Sequence, residues 1–169
     1  GPRDSRPLGH SAIDGGGDPF SGARVVSVAH FEPAAGMQGE ALDSYKRRFG
    51  TLFIDESTRR RGGIGSAVRG TNVLGEQFAL KTLVIPERDE RASEAEYERY
   101  EAGLKTAFRQ EFECHKAVSG LKGFPHLYGM GEVAGTPAIV MEWVCGETLV
   151  HVCDALAVDG AGRMPTLVA

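Results

Sequence analysis

The sequence predicts an α+β domain: a set of antiparallel strands carrying one long helix, preceded by a flexible leader. Three observations predict it. Short apolar runs are punctuated by glycine-rich turns, one charged stretch leads into a helical pattern over 108–118, and the first 38 residues are rich in Gly, Pro, Ser and Asp.

Residues 1–38, including Asp14-Gly15-Gly16-Gly17-Asp18-Pro19, have too little apolar surface to offset their ordering entropy and read as a disordered leader. Within it, Val25-Val26-Ser27-Val28 could make a short strand; just after it, Gly39 to Arg48 could make a helix. Leu52-Phe53-Ile54 is the first strand expected of the sheet, with Asp55 to Arg61 as an extended turn. The cluster Gly62-Gly63-Ile64-Gly65 leads into Ser66 to Gly70 and predicts a hairpin with a flexible glycine turn. Asn72 and Gly75 form the next turn, and Phe78-Ala79-Leu80-Lys81-Thr82-Leu83 the next strand. The helical pattern is Phe108 to Val118. Phe124 to Val133 and Pro137 to Met141 are two further strands, joined by a turn at Ala134-Gly135-Thr136.

Lys81 ends an apolar strand, which is costly unless a carboxylate meets it. The helix thirty residues on offers Glu111 and Glu113. A core-facing glutamate should be followed by small or apolar residues three and seven positions later. Glu111 has Cys114 and Val118 there, whereas Glu113 has Lys116 and Gly120, so Glu111 is the expected partner.

The order of glycine loop, Phe-Ala-Leu-Lys strand, helix with Glu111, two strands and Val140-Met141-Glu142-Trp143-Val144-Cys145-Gly146-Glu147-Thr148-Leu149 resembles the small lobe of protein kinases of the serine/threonine type over roughly residues 50–150. The resemblance implies a sheet of about five antiparallel strands with one long helix over 39–149, and 150–169 as the start of a truncated large lobe. It implies ATP as cofactor. Lys81 would hold the α and β phosphates and Glu111 would orient Lys81. Gly62, Gly63, Ile64 and Gly65 would cover the phosphates. Ala67 and Ala79 would line the purine slot, Met141 would guard its back, and Glu142 and Val144 would present main-chain hydrogen bonds to adenine. The implied reaction is transfer of the γ-phosphoryl group of ATP to a protein hydroxyl, so the expected partner is a protein substrate.

The chain departs from the kinase pattern at two places. Arg60 stands where the first glycine of the loop belongs, and Ala67 where the following valine belongs. These departures favour, as alternatives, a pseudokinase or interaction module and a kinase-like small-molecule phosphotransferase. Twenty-seven residues (169 − 142) follow the hinge glutamate, with no His-Arg-Asp loop and no Asp-Phe-Gly site, and His151-Val152-Cys153-Asp154 stands too close behind the hinge to be the catalytic loop. Magnesium ligands are therefore expected in the missing large lobe, and the fragment alone is expected to be inactive. Apolar Leu149, Val152, Leu156 and Val158 would then be exposed and favour self-association.

Composition narrows the rest. The 169 residues suit about one domain, 41% of them are apolar, and a net charge of −4 argues against a general nucleic-acid binder. No apolar run approaches the ~20 residues of a membrane span and no secretory signal opens the chain, so a cytoplasmic location is expected. Cys114, Cys145 and Cys153 lack zinc or disulfide spacing; Cys114 reads as a small core residue and Cys145 as lying at the pocket mouth. The five histidines lack metal-ligand spacing and receive no role.

Overall fold

A computed structural model describes residues 24–36 and 39–144. In chain order the elements are β1 (Arg24–Val26), β2 (Ala29–Pro33), α1 (Gly39–Arg47), β3 (Leu52–Gly62), β4 (Gly65–Thr71), β5 (Gln77–Leu83), α2 (Glu94–Val118), β6 (Leu127–Val133) and β7 (Thr136–Glu142). The strands form one antiparallel sheet in the order β1-β3-β4-β5-β7-β6-β2. Among the described residues it therefore has seven strands rather than about five. The expected truncated start of a second lobe, and Cys145 and Cys153, lie outside the described residues.

The two extra strands lie in the stretch that composition assigned to a leader. β1 pairs with β3, and β2 with β6, so consecutive strands occupy opposite ends of the sheet. Only Ser27 and Val28 separate them, and so short a link spans roughly 10 Å at full extension. The sheet must curl until its two ends nearly meet. Gly129 and Gly131 on β6 make the second pairing possible. A Cβ on Gly129 would lie 2.4 Å from both the Glu32 carbonyl oxygen and the Phe31 ring, and one on Gly131 would lie 2.6 Å from the Ala29 carbonyl oxygen.

The curl encloses a core of Val28, Phe31, Phe49, Leu52, Ile54, Val68, Phe78, Leu80 and Val140. Phe49 sits at its centre, with ring centroids 4.8 Å from Phe31 and 4.9 Å from Phe78. Arg48, the first residue after helix α1, caps this cluster. Its guanidinium lies 5.3 Å from the Tyr128 centroid and 5.5 Å from those of Tyr45 and Phe78, and it is bonded twice to Glu76. Asn72 is buried in the adjoining turn with its amide fully used: Oδ1 accepts from the Leu74 and Glu76 N–H groups, and Nδ2 donates to the Arg48 carbonyl and to Glu76.

Because strand side chains alternate, Ala79, Lys81 and Leu83 point away from this core, toward helix α2. The helix answers with Phe108, Glu111, Phe112, His115 and Val118, a stripe spaced three and four residues apart. It begins well before the expected 108, at a capping box in which Ser93 Oγ accepts from the Glu96 N–H while Glu96 accepts from the Ser93 N–H. The charged stretch ahead of the expected helix thus supplies its first two turns. Asp55 to Arg61, read as a turn, continues β3, with a register irregularity between Asp55 and Arg60. The β6–β7 turn is a two-residue hairpin in which Ala134 and Gly135 take φ of 52° and 81°.

Candidate nucleotide site

Lys81 is fully buried, and its Nζ donates to Glu111 Oε1 at 2.7 Å. The side-chain exposures are 1% and 9%, so the two charges meet out of water. Glu113 is exposed and pairs at the surface with Arg109 and Lys116, which separates the two candidate glutamates as helical spacing anticipates. Cys114, expected in the core, is only half-buried, because the helix turns that position to the margin of the packed stripe.

Sheet register fixes the neighbours of the pair. Ala67, Lys81 and Ile139 stand opposite one another on β4, β5 and β7; Arg69, Ala79 and Met141 make the adjacent row. Ala67, Ala79 and Met141 are buried, and with Lys81 they share one face. Above them Gly62 and Gly65 close the β3–β4 hairpin through a two-residue turn, Gly63 with φ of 55° and Ile64. Gly65 is required by a close approach: a Cβ there would lie 2.9 Å from Lys81 Cε and 3.0 Å from the Thr82 carbonyl oxygen. The Ile64 carbonyl accepts from the Val84 N–H at 2.8 Å, and its side chain packs against the cluster that includes Ala79, Leu83 and Phe108. Arg60 stands opposite Ala67 but is exposed, its guanidinium donating to the Arg59 carbonyl.

At the far end of β7, the Glu142 N–H donates to the His126 carbonyl at 2.7 Å, and the Glu142 carboxylate accepts from the His126 N–H at 2.9 Å. What the Glu142 main chain can offer a ligand is therefore its carbonyl. Trp143 follows with the Arg69 guanidinium 5.7 Å from its ring centroid, and Arg69 is paired with Asp55 on the next strand. Val144 is half-buried against the helix-side cluster. The expected site residues on β4, β5 and β7 and in the hairpin thus surround one face of the sheet, with Lys81 and Glu111 at its inner end.

His115 had no assigned role, although it lies four residues after Glu111 on the same helical face. It is fully buried, with Nε2 2.8 Å from the Pro125 carbonyl oxygen. Burial above all, then the charge of Lys81, holds its pKa below the ordinary 6.5, while the Pro125 carbonyl and Glu111 oppose the shift. An unfolded histidine takes up its proton first as pH drops, so this site contributes full stability above about 6.5 and loses it as pH falls through the lower folded-state value. Thermal melts from pH 7.5 to 5 should show the wild-type melting temperature falling relative to His115→Gln.

Arg109, two residues before Glu111, reaches Glu32 on β2 through two bonds of 2.7 Å. Both partners are nearly half exposed, so the tie is screened by salt and contributes under about 1 kcal/mol. Among the described residues, no three His, Cys, Asp or Glu side chains converge as a metal site, and no helix is long and apolar enough to cross a membrane. A half-open concavity of about 260 Å³ lies elsewhere, beside the start of α2, lined by Glu87, Asp89, Ala92, Glu96, Tyr97 and Tyr100. It shares no residue with the lysine–glutamate face.

The curled antiparallel sheet, the single long helix and the buried ion pair between them define a kinase-like fold of the small-lobe type. Among solved structures, the chain is similar to the pseudokinase domain of BIR2, an immune regulator of the RLK/Pelle family. The two are 19% identical with a TM-score of 0.34, and the alignment covers 77% of this chain and 35% of that one. The match thus spans about a third of that chain's length. No family model and no curated protein matches the chain.

Proposed function

We propose that this chain is the ATP-binding lobe of a serine/threonine protein kinase acting in the cytoplasm, and that the full protein passes the γ-phosphoryl group of ATP to protein hydroxyls. The observation that supports this most is the buried Lys81–Glu111 pair. A buried ion pair gives little net stability over apolar residues of the same volume, so its presence asks for a chemical reason. Binding of nucleotide phosphates supplies one. Lys81 would hold the α and β phosphates, Glu111 would keep its ammonium aimed, and Gly62 and Gly65 would bring the hairpin backbone close. The Glu142 carbonyl and the Val144 N–H would meet adenine, between Ala67 and Ala79 on one side and Met141 at the back. On this reading the catalytic aspartate, the magnesium ligands and the substrate surface belong to a large lobe after the hinge.

Titration with Mg-ATP should raise the melting temperature of this chain, by the equivalent of about 2.7 kcal/mol at a hundredfold excess over Kd, with the shift lost in Lys81→Ala. In the full-length protein, Lys81→Met should abolish phosphoryl transfer while the protein stays folded; retained transfer would defeat the assignment. Arg60 in place of the first loop glycine, and Ala67 in place of a larger roof residue, favour a second reading as a pseudokinase binding module. A lysine-dependent thermal shift without transfer to protein, aminoglycoside or choline acceptors would select it.

A further inference from the structure

We infer that His115 is a positioning residue: through Pro125 it fixes the helix that carries Glu111 to the strand that forms the hinge, and so keeps Lys81 and Glu111 in contact. Its bearing on nucleotide chemistry rests on the reading above, but the geometry stands on its own. Pro125 offers a carbonyl, which can only accept, so His115 Nε2 carries the proton and donates at 2.8 Å. The same segment is tied to the helix end a second time, where the Leu127 N–H donates to Ser119 Oγ at 2.9 Å. The next residue after Pro125 is His126, whose carbonyl and N–H are both bonded to Glu142. One hydrogen-bonded route therefore runs from the turn below Glu111, through His115, Pro125 and His126, to the hinge glutamate.

Few other polar ties of the helix to the sheet stand among the described residues. Beyond Lys81–Glu111 itself, its link to the sheet among the described residues includes the exposed Arg109–Glu32 pair. His115 makes its bond in full burial, where an alternative partner from water is not at hand and the bond is correspondingly hard to exchange. The charged or titratable groups near it are Lys81 on β5, Glu111 on its own helix and His126 before β6. A proton on His115 would set a second positive charge beside Lys81, so acid should loosen the same contact.

The test uses the full chain and reads Lys81 directly. Each lysine's acetylation by N-acetoxysuccinimide is followed by mass spectrometry, with exposed Lys105 and Lys122 as internal references. Lys81 should be protected in the wild type and in His115→Gln, whose amide can still donate to Pro125. In His115→Leu, which fills the space but cannot donate, Lys81 acetylation should rise about tenfold relative to Lys105, the factor one lost hydrogen bond is worth in a local opening equilibrium. Equal protection of Lys81 in all three proteins would overturn the inference. Should His115→Leu fail to fold, His115→Met, which is unbranched and equally unable to donate, takes its place in the same comparison. Equal protection of Lys81 in His115→Met and the wild type would again overturn it. Failure of the nucleotide reading looks different: Lys81 would respond to His115 as described, yet Mg-ATP would neither shift the melting temperature nor protect Lys81 further.

Discussion

Replacing Glu111 with alanine is expected to lower the stability of the chain by about 3–5 kcal/mol, because it strands a buried ammonium. Lys81 is fully buried, and Glu111 Oε1, 2.7 Å away, is its salt-bridge partner. Without that carboxylate the lysine must either lose its proton or pull its stem out from beneath Gly65, and each route costs several kcal/mol of the folding free energy. The double variant Lys81→Met with Glu111→Leu should recover to within about 1 kcal/mol of wild type, since apolar residues of similar volume commonly match or exceed a buried pair. Urea unfolding with an unchanged m-value measures both. A loss below about 1 kcal/mol in the single variant would mean that water reaches the pair in solution. A stable double variant that no longer binds Mg-ATP would show that the pair is kept for what it contacts and not for the fold.

Phe49→Ala should cost about 3–5 kcal/mol through the cavity it leaves. Phe49 is fully buried, between the Phe31 and Phe78 rings, with Tyr45 at 5.5 Å and Tyr128 at 5.6 Å. Its loss also removes one of the four rings around Arg48, whose centroid lies 5.6 Å from the guanidinium. Tyr45→Ala on helix α1 should cost less, because Tyr45 is only half-buried and its hydroxyl makes a long 3.4 Å bond to the Tyr128 carbonyl. Denaturant midpoints of the two variants test the ordering. Equal losses would mean that the short helix α1 anchors this end of the core as much as the turn after it does.

The parts of the fold that could be read in the sequence are those whose causes are local. A glycine turn between strand-forming runs, an apolar strand ending in lysine, and a glutamate with small and apolar residues at three and seven positions on are all short-range patterns, and β4, β5, the end of α2, β6 and β7 follow from them. β1 and β2 have little local signal, and of the two only β1 overlaps a run expected as a short strand, Val25-Val26-Ser27-Val28. Arg24–Val26 is mostly exposed and Ala29–Pro33 contributes only Phe31 to full burial, so neither alternates convincingly. Their stability comes from pairing with strands far along the chain, and the complementary sign, Gly129 and Gly131 within a strand, reads on its own only as a bulge or weak point. The start of α2 was readable in Ser93 and Glu96, but a run of charges masked it. His115 was hidden for another reason: a lone histidine on a helix carries no spacing signal, and its partner is a main-chain carbonyl of a loop.

The curl of the sheet also has a cost in time. Ala29 pairs with Glu132, about a hundred residues later. At ~5–20 residues per second, a chain leaving the ribosome waits roughly 5–20 s between the two. Throughout that interval Val28 and Phe31 have no β6 to rest against, and the outer edge of β3 can pair with β1 alone. β2, made early, thus waits for a partner made late, and the nascent chain is most exposed to wrong partners just before β6 and β7 arrive.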